Sequence, residues 1–135
     1  MATQHTFKRS NIFRDIDLSF SRHPLTNDVG VKTDVNAINQ SLRSLVATNF
    51  YERPFQPEIG CNIRALLFEP ADPITIADLR QAITDTITNH EPRVQLLDLV
   101  IEDLSDNNAY NVRIVYQINM TQDPVHLDVI LERLR

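Results

Sequence analysis

The carboxylates are the most numerous residues of a type that does chemistry, with 18 Asp and Glu against 13 Lys and Arg. Glycoside cleavage needs two carboxyls roughly 5–10 Å apart, one held protonated and one charged. Glu52, Glu58 and Glu69 lie on or beside proline-rich loops and are the candidates for such a pair, although their spacing singles out no two of them. The four histidines, His5, His23, His90 and His126, are far apart, form neither HxxxH nor HExxH, and have no second cysteine to join them. No metal site is expected from that pattern. Cys61 opens an apolar helical stretch and reads as a small buried packing residue, since a nucleophilic thiolate needs a positive, partly exposed setting. Only two glycines occur, Gly30 and Gly60. Phosphate-cradling loops and dinucleotide-binding turns need closely spaced glycines, because backbone must approach the anion without a Cβ in the way. Neither can be written here, and GxSxG is equally absent. No cofactor and no enzymatic activity is expected.

One charged motif resists a bland explanation. Glu91-Pro92-Arg93 falls where a helix-period pattern gives way to a strand-period one. An acid at a helix C-terminus opposes the macrodipole by about 0.3–1 kcal/mol, so Glu91 is locally misplaced. Arg93 lies two residues on, and positions i and i+2 of an extended segment project to the same side. Two readings stand: a local pair in which Arg93 satisfies Glu91, or a rigid two-charge fork offered to a partner chain. Arginine suits the second because its planar donors engage carboxylates two at a time.

The elements that position these residues follow from periodicity. Residues 1–12 are polar and mixed in charge, and are expected to form a flexible arm before a single domain over 13–135. FRDIDLSF, from Phe13 to Phe20, alternates with Ile16, Leu18 and Phe20 on one side, which predicts a half-buried strand ended by His23-Pro24. Asp34 is placed to cap a helix reaching about Asn49, with Val35, Ile38, Leu42, Leu45 and Val46 as its apolar stripe. FYERPFQPEIG follows, and Glu52, Arg53, Pro54, Pro57 and Gly60 mark it as a fixed loop. Cys61 to Phe68 predicts about two helical turns. Thr75 with Asp78 resembles a capping box, and Ile76, Leu79, Ile83 and Ile87 form the stripe of a third helix that Pro92 stops. After Arg93 the period changes. Val94 to Leu104 is apolar and β-prone, and Ser105 to Asn108 is a turn. Tyr110, Val112, Ile114, Tyr116, Ile118 and Met120 then alternate with polar residues. After a turn over Thr121 to Pro124, Val125, Leu127, Val129 and Leu131 alternate to the end of a last strand reaching Leu134. The prediction is β-α-α-α-β-β-β, an α+β domain with helices on one face of a mainly antiparallel sheet. The last strand is expected to be an edge, which is either a pairing site for another chain or an edge that Asp128, Glu132, Arg133 and Arg135 guard against pairing.

Composition sets the frame. The 135 residues suit one domain with a real core. Hydrophobic residues at 42% and charged ones at 23% are ordinary globular usage. The net charge of −5 disfavours nucleic acid as a partner. No apolar run is long enough to span a bilayer and no signal-peptide core is present, so no membrane contact is expected and a cytosolic location is.

Taken in order, FRDIDLSF, DVNAINQSLRSLVAT, YERPFQPEIG, LLFEPAD, EPRVQL and the closing meander resemble the gene product 25-like baseplate wedge and sheath-initiator family of contractile-tailed phages. The type VI secretion component TssE is similar. The resemblance spans about residues 13–134 and departs from the family at two positions. Tyr51 stands where the family usually has glycine before Glu-Arg, and Ile59 where an aromatic usually precedes Gly60. The resemblance implies a structural protein of the virion tail baseplate, assembled in the host cytoplasm and placed near the tail tube. Its implied partners are the larger wedge subunits and the tail-sheath protein. Glu91, Pro92 and Arg93 are implied in the wedge core bundle. The C-terminal sheet, with Val125, Leu127, Val129 and Leu131 on its last strand, is implied in accepting sheath arms by strand addition. The family also carries an old lysozyme label, so a peptidoglycan-cleaving enzyme and a stand-alone binding adaptor are the rival readings.

Overall fold

The computed structural model describes residues 12–119, 121 and 123–133. The chain divides into two compact units after Ile38. His5, Met120, Gln122, Leu134, Arg135 and all of the expected N-terminal arm except Ile12 lie outside the described residues.

In the first unit, β1 (Arg14–Ile16) pairs antiparallel with β2 (Val31–Thr33), Arg14 opposite Thr33 and Ile16 opposite Val31. The strand expected as far as Phe20 therefore stops four residues early. Asp17 ends it: its Oδ1 accepts from the Ser19 amide at 3.0 Å, its carbonyl accepts from the Phe20 amide at 3.0 Å, and Phe20 turns to φ +51°. A short acidic side chain that binds nearby backbone competes directly with a ladder. Ile16, Leu18 and Phe20 are 61, 56 and 69% exposed, so the expected half-buried face is an open one. β2 has only three residues, too few to display a period, and sequence periodicity misses it. Asp34 opens α1 (Asp34–Ala47) at φ +46°. Its Oδ1 accepts from the amides of Ile12 at 2.9 Å and Phe13 at 3.2 Å, so its carboxylate serves the chain before β1 and not the helix it was expected to cap.

The second unit holds the rest of α1, with Leu42, Leu45 and Val46 buried as its stripe predicts. α2 (Ile63–Leu66) is one turn, half the expected length, closed by the Leu67 amide on the Ile63 carbonyl at 3.0 Å. α3 (Pro73–His90) begins with Pro73 at its first position and Asp72 as its cap, accepting from the Thr75 amide at 2.7 Å. The capping box expected at Thr75 is thus displaced by three residues. Proline lacks the amide that a first-turn residue leaves unsatisfied anyway, and its fixed φ makes the residue before it the natural cap. Thr75 is instead buried, with Leu79, Ile83 and Ile87.

β3 (Val94–Leu104), β4 (Ala109–Ile118) and β5 (Pro124–Glu132) form the antiparallel meander expected, in the order β3-β4-β5. A short 3-10 turn over Ser105–Asn107 joins the first two. Leu96 pairs with Tyr116 and Asp98 with Val115, so Leu97 is an extra residue, a bulge, and is 48% exposed. The bulge shifts the inward phase by one residue, which places Leu99 and Ile101 in the core. Along β4, Tyr110, Val112, Ile114, Tyr116 and Ile118 are buried, while Arg113 on the opposite face pairs with Asp128 of β5 at 2.9 Å. α3 packs on β3 and α2 on α3, which gives the α+β layering that the sequence predicts.

Candidate functional site

Glu91 is the C-cap of α3, and its amide donates to the Ile87 carbonyl at 2.9 Å. It is also the most deeply buried charge among the described residues, 3% exposed. Arg93 meets both of its oxygens, Nε to Oε1 at 2.6 Å and Nη2 to Oε2 at 2.8 Å, with its own side chain 24% exposed. The hydroxyl of Ser41 on α1 donates to Oε2 at 2.5 Å. Burial pushes the Glu91 carboxyl up, but the hydrogen bonds from Arg93 and Ser41 and the nearby cation outweigh it and hold the group below its ordinary value. A carboxylate out of water is tolerable only when its lone pairs are met in this way. The misplaced acid therefore has a cation locally, in a two-pronged pair.

The turn is fixed from outside as well. Asn119 donates from Nδ2 to the Pro92 carbonyl at 2.7 Å and from its amide to the Arg93 carbonyl at 3.1 Å. Tyr116 lies under the same corner, its hydroxyl donating to Asn39 Oδ1 at 2.7 Å. Burial, reinforced by the charge of Glu91, pushes the Tyr116 phenol up to about 12. Ser41, Asn39, Tyr116 and Asn119 are the members of this cluster that sequence reasoning missed. Each comes from an element remote in the chain, and a polar residue on a helix or strand gives no signal of which turn it faces.

β5 pairs with β4 from Gln117 opposite Pro124 to Ala109 opposite Glu132 without a slip. Its other edge has no strand beside it among the described residues. Leu127 is buried, Val125, Val129 and Leu131 are half-buried, and Ile130 on the opposite face is 67% exposed. Beyond the strand, Arg133 closes back on Asn108 through its amide at 2.9 Å and donates from Nη2 to the Glu69 carbonyl at 3.2 Å.

The loop between α1 and α2 is cross-tied. Glu52 accepts from the Asn49 amide at 3.0 Å and from its Nδ2 at 2.8 Å, the Tyr51 amide donates to the Pro57 carbonyl at 2.9 Å, and the Cys61 amide donates to the Thr48 carbonyl at 2.8 Å. The Asn49 bonds hold the Glu52 carboxyl below its ordinary value. Gly60 sits at φ +156°, where a Cβ would come within 2.6 Å of the Asn49 carbonyl carbon. Its own carbonyl accepts from Thr86 of α3 at 3.1 Å. Cys61 is fully buried, and burial pushes its thiol up, as befits a packing residue. Tyr51 has φ +66°, in the left-handed region that glycine enters freely, so a glycine at this position has a backbone reason.

Glu58 lines a cleft of about 490 Å³ with Asp85, Asn89 and His90, Glu52 lines a different one of about 310 Å³ with Arg64 and Glu132, and Glu69 lines neither. Among the described residues no group of three or more His, Cys, Asp and Glu is placed to hold a metal ion. No helix among them is long and apolar enough to cross a membrane.

The chain is 27% identical over 116 residues to the baseplate wedge protein gp25 of Enterobacteria phage T4, covering 86% of this chain and 87% of that protein. Its fold matches a crystal structure of a Geobacter sulfurreducens protein proposed to be a tail lysozyme, with a TM-score of 0.68, 21% identity and coverage of 73% and 89%. It also matches a chain of the anti-feeding prophage baseplate, with a TM-score of 0.63, 22% identity and coverage of 91% and 87%. At these identities the two structures speak to fold alone. The family model described as baseplate wedge protein gp25 matches residues 32–123, from β2 to the threshold of β5, and includes both the cross-tied loop and the Glu91-Pro92-Arg93 turn. With two thirds of its length under that model, the chain belongs to the baseplate wedge protein gp25 family.

Proposed function

We propose that the protein is a non-enzymatic component of the inner wedge of a contractile-tail baseplate. It binds the larger wedge subunits near the tail tube and starts tail-sheath polymerisation by strand addition. Family membership supports the baseplate role. The observation that carries the finer reading is β5, a nine-residue edge strand held in register by β4 and open on its other side among the described residues. A pre-ordered edge spares the first sheath strand part of the entropy of forming a ladder. Val125, Leu127, Val129 and Leu131 keep the inward side of that edge anchored, leaving its backbone groups as the dock.

Glu91, Pro92 and Arg93 are the proposed wedge contact. Within the chain Glu91 is joined to Arg93 and to Ser41, which fixes the turn that the wedge subunit is proposed to meet.

The deciding experiment is sheath assembly with and without a substoichiometric amount of this protein, alone and with preassembled wedges, followed by light scattering and electron microscopy. A shortened lag, with the protein at one end of each tube, is the expected result. An unchanged lag under both conditions removes the initiator role. The lysozyme-like alternative predicts clearing of peptidoglycan by pure protein that is lost in Glu52→Gln, Glu58→Gln or Glu69→Gln.

A further inference from the structure

The loop between α1 and α2 displays aromatic side chains that the chain's own core does not use. Tyr51 is 85% exposed and Phe55 wholly so, and both are held at positive φ, +66° and +71°. Residues with a bulky Cβ substituent rarely occupy that region, and such outliers cluster where a surface is shaped for a purpose. The loop is also stiff. Pro54 and Pro57 fix two φ angles, Asn49 binds Glu52 twice, Tyr51 bonds to Pro57, and Gly60 admits no side chain. Arg53 lies between the two aromatics and is exposed, and its guanidinium has no hydrogen bond or ion pair among the described residues.

Rigid aromatics flanking an arginine are what the buried centre of a protein interface is made of, because they add contact area with few rotors left to freeze. We propose that Tyr51, Arg53 and Phe55 form a preformed anchor that enters an apolar socket on a larger wedge subunit, with a carboxylate of that subunit on Arg53. This rests on the reading that the chain binds wedge subunits, and adds where and by what chemistry. Charge identifies the occupant. Among the described residues no carboxylate is paired with the guanidinium, and its fork geometry fits one. Glu52 and Glu58 flank this one cation in a chain of net charge −5, which disfavours anionic bilayers and nucleic acid.

The test uses the full chain captured by co-expressed larger wedge subunits of the same particle, with affinities measured on the purified complex. Phe55→Ser and Arg53→Glu are each expected to weaken capture by about 30-fold, the size of a central interface contact. Arg53→Lys is expected to recover only part of the loss, because an ammonium cannot reproduce the two-pronged bond. Both side chains are exposed, so unfolding by urea should match the wild type. Leu25→Ser serves as a control, an 88% exposed apolar residue outside the loop. Capture of the wild type with unchanged capture of Phe55→Ser and Arg53→Glu overturns the anchor and leaves the wedge reading intact. Failure of the wild type to be captured at all removes both. Flotation with anionic vesicles, or self-association in sedimentation, that is abolished by Phe55→Ser overturns the assignment to a wedge socket.

Discussion

Arg93→Met tests whether the Glu91–Arg93 fork belongs to the folding of this chain. The substitution keeps the aliphatic stem and removes the cation, leaving a carboxylate that is 3% exposed with Ser41 as its remaining side-chain donor. Removing one partner of a buried pair costs about 3–5 kcal/mol. Arg93 retains 24% of its side-chain exposure, which places the expected loss at the lower end, about 3 kcal/mol. For a chain of 135 residues the unfolding entropy is roughly 0.3 kcal/mol/K, so the melting temperature should fall by about 10 °C. The loss must also depend on pH. Glu91 has a folded-state pKa below its ordinary 4.5, so its contribution is present above that value and disappears as pH falls through the depressed one. The gap between wild type and Arg93→Met in urea unfolding should therefore shrink by more than half between pH 7 and about pH 3. Completing the cycle with Glu91→Gln should return a coupling of about 2 kcal/mol. A loss under about 1 kcal/mol, or a gap unchanged by acid, refutes the claim that this pair stabilises the fold.

Four further outcomes follow from the structure. Gly60→Ala should cost about 2–4 kcal/mol in urea unfolding, because the new methyl meets the Asn49 carbonyl carbon at 2.6 Å in a conformation that L residues rarely adopt; a loss below about 0.5 kcal/mol contradicts the assigned backbone. Tyr51→Gly should be about 1 kcal/mol more stable than Tyr51→Ala, reversing the usual order of alanine over glycine, since φ +66° penalises any Cβ. Tyr116→Phe should lose about 1 kcal/mol by orphaning Asn39 Oδ1. In the wild type the Tyr116 phenol should ionise only near pH 12 by ultraviolet titration, with stability falling as pH rises above the ordinary value of 10.

Long periodic elements were legible and short, side-chain-directed ones were not. Leu79, Ile83 and Ile87 announced α3, and the alternation from Tyr110 to Ile118 announced β4 together with its buried face. The run Val94 to Leu104 showed no clean alternation because the Leu97 bulge changes its phase halfway. Asp17 and Asp72 account for the misread ends of β1 and α3, and Asp34 for a misread cap. Each is a short acid whose carboxylate takes backbone amides, and the choice of amides depends on tertiary placement. At the site, Glu91 could be singled out as an acid at the wrong end of a helix, and Arg93 as the cation within reach. Ser41 could not, because it lies fifty residues away and only the folded chain brings it to Oε2.

The bulge at Leu97 makes the two margins of the sheet inequivalent. β3 carries an unmatched residue in mid-strand, which interrupts the even row of donors and acceptors that an incoming chain would have to match. β5 keeps nine positions in step from Pro124 to Glu132. A sheet with two equal margins would extend both ways. Among the described residues this one has a single unslipped margin, and under the strand-addition role proposed above that margin is where growth would begin.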